Sequence, residues 1–134
     1  MSQENVEIVR RAIAASTSEP PDVETLRAIL DPEHVLITDW GVEQERHHGV
    51  DGYVAAIDEM EAAWDSLTQE VERVLDAGER GVVVLMRLKA RGKESGAAVE
   101  NPWAMVVVLR DGRIATSRVF LQQDEALKAV GLTE

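Results

Sequence analysis

The sequence contains no cysteine. A disulfide frame, a thiol nucleophile and a thiolate metal site are therefore excluded, and packing has to hold the fold. Aromatic residues are scarce, at 4%, so the positions of Trp40, Tyr53, Trp64, Trp103 and Phe120 carry weight. There is no run of 18 apolar residues and no charged-then-apolar leader. Secretion and membrane spanning are disfavoured, and a cytoplasmic location is the expectation. Basic residues are outnumbered 14 to 25, for a net charge of −11. Nucleic acids and anionic membranes are held by clustered Lys and Arg, so neither is an expected partner. The acidic excess is spread along the chain and reads as a solvated surface.

What is present is 134 residues, 45% of them hydrophobic. That suffices for one buried core, and residues 1–134 read as one domain. Ser2 and Glu4 open a helix in which Val6, Val9 and Ile13 recur at helical spacing. Asp22 caps a second, short helix, with Val23, Leu26, Ile29 and Leu30 on one face and Pro32 after it. HVLITDW reads as a strand. Val50, Tyr53, Val54, Ile57, Met60 and Trp64 then step by three and four, which predicts a helix of about four turns.

From Leu67 the pattern alternates. LTQEVERVL, VVVLMRLKA, WAMVVVL and IATSRVFL read as strands, joined by DAGERG, RGKESG and the hairpin signal Asp111-Gly112. DEALKAVG closes with a short helix. Helices followed by an antiparallel meander make an α+β fold. Strict alternation sets Ile114, Thr116, Arg118 and Phe120 on one face of the last strand, with Ala115, Ser117, Val119 and Leu121 on the other. The last two strands are apolar on both faces, which calls for a second cover from a partner subunit or from the chain itself.

Three stretches, SQENVEIVRRAIAAS, HGVDGYVAAIDEMEAAWDS and VLRDGRIATSRVFLQQDEALKAVGL, resemble in order and spacing the SnoaL-like branch of the NTF2-like superfamily. The resemblance covers almost the whole chain. It implies a cone, with a curved antiparallel or mixed sheet wrapped around N-terminal helices and an internal pocket, and a homodimer paired through the sheet. The superfamily includes ketosteroid isomerases, polyketide cyclases, epoxide hydrolases and proteins with no known reaction, so the fold leaves the function open.

Asp39 ends a strand beside Trp40, at what the resemblance makes the cone mouth. A carboxylate against an aromatic wall loses hydration and becomes a better base. DPEHVLITDWG also matches the place where the isomerases carry their proton-abstracting aspartate. The plainer reading is an Asp that starts a turn before Gly41. The isomerases' two oxyanion donors fall here on Ala12 and near Met105, neither of which can donate, so steroid isomerisation is not expected. The aspartate thought to serve the cyclases is replaced by Gln122, with Asp124 read instead as a cap of the last helix. The epoxide-hydrolase set finds Asp39 and Arg118 but no third member.

His47 and His48 are neighbours that point to opposite sides of an extended chain, so one metal cannot easily take both. No metal and no cofactor are expected. His48 is either a pocket group and proton relay or a capping, surface histidine. Trp40, Tyr53, Trp64, Trp103 and Phe120, with Met60, Met86 and Met105, are candidates to line a pocket for a small apolar or aromatic molecule. Ordinary core packing is the alternative. Arg118 faces either inward, with Glu100 as partner, or the charged outer surface of Arg87 and Lys89. The expected function is small-molecule binding, with cofactor-independent acid–base chemistry at Asp39 helped by His48 or Tyr53. The rival is a non-catalytic carrier or dimerisation module with a filled cone.

Overall fold

The computed structural model describes residues 2–39 and 43–132. The expected strand-end neighbour of Asp39, Trp40, lies outside them. In chain order the elements are α1 (Ser2–Thr17), α2 (Val23–Ile29), β1 (Leu30–Thr38), β2 (Glu45–His48), α3 (Gly49–Ala62), β3 (Trp64–Asp76), β4 (Val82–Gly92), β5 (Ala98–Arg110), β6 (Arg113–Phe120) and α4 (Gln123–Ala129). The strands form one curved sheet in the order β2-β1-β6-β5-β4-β3. β1 and β6 run parallel and every other neighbour is antiparallel. The fold is α+β, as the sequence indicates.

Local chemistry sets the element ends. Asp22 caps α2 through its carboxylate, which accepts the Thr25 N–H at 3.1 Å and the Thr25 hydroxyl at 2.7 Å. Those two bonds favour the ionised form and hold the Asp22 pKa below its ordinary value. Asp111 and Gly112 both sit at positive φ, 54° and 77°. That pair of left-handed residues gives the two-residue turn whose twist suits the β5–β6 hairpin.

Two expectations are corrected at the ends of α3. The helical pattern runs one step too far: Trp64 is the first residue of β3. The stretch before α3, where the sequence marks no element, carries one: Glu45–His48 pairs with β1 as an edge strand. ERHH has no apolar residue to mark it, and a short charged strand is what a sheet edge tolerates.

The sheet has two apolar faces with different covers. On the inner face Val82, Val84 and Met86 of β4 and Met105 and Val107 of β5 pack with Val9, Ala12 and Ile13 of α1 and with α2 and α3. Leu26, Leu30 and Ile114 are buried to within 2% here, each a contribution of about 2 kcal/mol. On the outer face Val83 and Leu85 of β4 and Ala104 and Val106 of β5 pack against Ala126 of α4 and Val130 after it. The chain's own last helix thus covers this part of the outer face.

The face assignment along β6 is also corrected. A register shift between Val108 and Leu109 places Leu109 opposite Ile114 but Val108 opposite Thr116, leaving Ala115 as an extra residue. The bulge reverses the alternation. Ile114, Ser117 and Val119 therefore all point inward and are buried, while Thr116, Arg118 and Phe120 go to the outer side.

Candidate functional site

Between α1, α3 and the inner face of the sheet lies a chamber of about 440 Å³. Met60, Met86, Met105 and Trp103 wall it, and Tyr53 closes one side. It meets an outer cavity of about 880 Å³ at Ala56, Met60, Trp103 and Val119, which line both. The outer cavity is bounded by Trp64, His47, Pro102 and Leu121 among others. The chamber exists because α3 presents small or flexible side chains, Ala56 and Met60, where a bulkier residue would fill the interior.

Its polar groups are tied to one another. The Ser16 hydroxyl donates to the Ala12 carbonyl at 2.7 Å. Ser16 has one proton, so in its 3.0 Å contact with Tyr53 the phenol is the donor. Burial raises the Tyr53 pKa and keeps the phenol neutral. The Trp103 indole N–H donates to Gln69 Oε1 at 2.7 Å. The Gln69 amide nitrogen rests on the Met60 sulfur at 3.9 Å. Thr17 donates to the Ile13 carbonyl at 2.9 Å.

Glu19 and Glu61 stand at the chamber wall. Loss of hydration raises the Glu61 pKa, and the neighbouring carboxylates of Glu19 and Asp58 push it further in the same direction. Glu45 and Glu59 line the outer cavity.

The expected acid–base pair is not part of this space. His34, Leu36 and Thr38 of β1 point inward and are buried. Asp39 follows with the opposite parity, is exposed, and lines neither cavity. The expected choice between the histidines is also reversed. His47 pairs with the inward Leu36 and lines the outer cavity, where Thr38 Oγ1 sits 3.1 Å from its Nε2. His48 pairs with Val35 and is exposed, and its side chain makes no capping bond at the start of α3. Asp124 is likewise not a side-chain cap: α4 is preceded by Gln122, which caps without its side chain.

Tyr53, Met60, Met86, Trp103 and Met105 come together at the chamber and Trp64 at the outer cavity. Phe120 does not. It packs on the outer face with the α4 cluster, and the exposed Arg118 guanidinium lies 4.9 Å from its ring centroid. Glu100 pairs not with Arg118 but with Arg87, at 3.4 Å, beside the 2.8 Å Arg87–Glu72 bridge. Glu72 is held ionised first by the Gln123 amide and then by Arg87. Gln123 also donates to the carbonyls of Met86 and Trp103, fastening α4 to the sheet.

Sequence reading missed Ser16, Gln69, Glu61 and His34, and it preferred His48 to His47. Ser16 had a signal, because it lies three and four residues after Ile13 and Ala12 on the buried face of α1. Gln69 shares its face with Leu67 in the same way. His34 is fully buried behind the chamber, with its ring edge-on to Tyr53 at 5.5 Å. Its Nε2 meets the Ser117 hydroxyl at 2.9 Å and its Nδ1 has no partner among the described residues. An unpaired lone pair costs less than an unpaired N–H, so the neutral tautomer with the proton on Nε2 fits this site. Among the described residues no group of three His, Asp or Glu is placed to hold a metal. No described helix is long and apolar enough to cross a membrane.

Among solved structures, the chain is similar to a Jannaschia sp. CCS1 protein named as a SnoaL-like polyketide cyclase (TM-score 0.76, 20% identity, 99% of this chain and 95% of that one). It is also similar to a protein of ketosteroid isomerase-like fold from Catenulispora acidiphila in complex with trimethylamine (TM-score 0.70, 16% identity, 94% and 93%). A third likeness is to an LEH-like epoxide hydrolase of M. tuberculosis (TM-score 0.65, 19% identity, 96% and 86%). At these identities the likeness is one of fold. No curated protein matches the sequence. Residues 9–117 match the SnoaL-like domain family, and the chain belongs to that family, built on the NTF2-like fold.

Proposed function

We propose that this chain is a small-molecule-binding protein whose ligand, an apolar or aromatic molecule, occupies the inner chamber. The supporting observation is the chamber itself, about 440 Å³ walled by three thioethers and an indole. That size and lining suit a drug-sized apolar body. The neighbours named as a cyclase and an epoxide hydrolase, and the one holding trimethylamine, use this fold around small molecules. The resemblance to the family adds a second copy, paired through the sheet.

Binding without chemistry at Asp39 is the reading favoured. The hydroxyls of Ser16, Thr17 and Tyr53 are committed within the protein, so an oxyanion in the chamber would meet no free hydroxyl donor. Asp39 and His48 are exposed and off the chamber. A thermal-shift screen of small aromatic molecules on the wild type and on Asp39→Asn tests this. The expected result is the same set of stabilising compounds, with shifts equal within error. Loss of those shifts in Asp39→Asn, or turnover of a compound that the variant abolishes, would put Asp39 back in the site.

A further inference from the structure

The chamber's hydrogen-bonding groups are unbalanced. Of its hydroxyl and indole donors, Ser16, Thr17, Tyr53 and Trp103 each spend their proton on a protein acceptor. Thr68 is directed to the Lys89 carbonyl at 3.5 Å. Among the described residues, the side-chain donor with protons to spare is the Gln69 amide, whose nitrogen meets the Met60 sulfur alone. Acceptors, in contrast, are left over. The Tyr53 oxygen gives its proton to Ser16 and receives none among the described residues. Glu19 and Glu61 add two carboxylates to the same wall.

The charges are unbalanced too. No lysine or arginine is among the described residues lining either cavity. Neither Glu19 nor Glu61 has a salt-bridge partner among the described residues, whereas Glu70, Glu72 and Glu100 on the outer face all do. Among the described residues, the charges that act on Glu61 are like charges, Glu19 and Asp58. A partly desolvated carboxylate among carboxylates is stabilised by a cation and destabilised by an anion.

We propose, resting on the chamber-binding reading above, that the ligand is an amphipathic amine: an apolar or aromatic body in the chamber, with a protonated nitrogen donating to Glu61 and Glu19. A carboxylate-bearing ligand of the same shape would meet like charge and find no free donor but the Gln69 amide. The size of the body is set by the methionine and indole walls, and the head group is set by the two acids.

The test uses three probes that share one body: 2-(1-naphthyl)ethylamine, 2-(1-naphthyl)ethanol and 1-naphthylacetate, titrated calorimetrically at neutral pH. The amine is expected to bind roughly tenfold or more tightly than the acetate, with the alcohol between them. In the double variant Glu19→Gln, Glu61→Gln, which keeps the shape of both side chains, the three affinities should converge to within about threefold. Acetate binding as tight as the amine, or an amine preference that survives in the double variant, would overturn the proposal. If all three bind alike and Ala56→Phe, which fills the passage between the cavities, removes the binding, the chamber reading stands and the amine inference fails. If none binds up to millimolar concentration, both fail.

Discussion

Between pH 6.5 and pH 4 the protein is expected to lose about 3 kcal/mol of folding stability that a His34→Gln variant keeps. His34 is fully buried, and loss of hydration lowers its pKa from 6.5 to about 4, against a smaller opposing pull from Asp31. The sign follows from proton counting. In this window the unfolded chain protonates the imidazole and the folded chain does not. The unfolded state therefore binds more protons, and stability falls as the pH falls. The contribution is fully present above pH 6.5 and is lost as the pH drops toward the folded-state value. Glu61 acts in the opposite direction, since its raised pKa makes folding more favourable as it takes up a proton. Comparing the two proteins cancels that term and the other carboxylates. Glutamine keeps a hydrogen-bonding group near Ser117 without a titrating one. Urea unfolding at a series of pH values checks the difference. Parallel pH profiles for wild type and variant would show that His34 is not held neutral by burial.

The largest functional effect is expected from Ala56→Phe. Ala56 is 3% exposed on α3 and lines both cavities. A phenyl ring there projects into the passage between them. Binding of any chamber ligand is expected to weaken roughly 100-fold or more, measured by calorimetry. The fold should survive, because the ring enters empty space rather than a packed layer. Overpacking costs about 1–3 kcal/mol where there is no such space. Met60→Trp, at a half-buried position on the same passage, gives an independent obstruction. Far-UV circular dichroism of both variants separates a blocked chamber from a lost fold. Undiminished binding in two folded variants would locate the ligand elsewhere.

How far the sequence could be read depended on how local each signal was. The Asp22 cap, the Asp111-Gly112 turn and the apolar alternation of β4 and β5 are short-range, and the structure keeps all three. The methionines and Trp103 were placed at the cavity because they lie on elements that the family resemblance wraps around a hollow. What failed depended on information outside the local window. One inserted residue at Ala115 turned the rest of β6 over, and no composition rule marks a bulge of that kind. β2 carries no apolar residue at all. Asp39 was read from its position at a strand end, but its parity, set by the buried His34, Leu36 and Thr38, sends it outward. The bond between Ser16 and Tyr53 joins residues 37 positions apart, and that between His34 and Ser117 spans 83. Such pairs exist only once the parallel β1–β6 pairing and the packing of α1 on α3 have formed.

The most direct measurement of a ligand in the inner chamber is the indole N–H spectrum of the uniformly ¹⁵N-labelled protein. The chain has three tryptophans, and Trp103→Phe assigns the resonance that matters. The Trp103 N–H is held by Gln69 at 2.7 Å on the chamber wall. Titration with 2-(1-naphthyl)ethylamine is expected to move that resonance to saturation in the wild type and to leave it in place in Ala56→Phe. A ligand that binds with the Trp103 resonance unmoved, or that moves it equally in both proteins, would contradict a chamber-bound ligand.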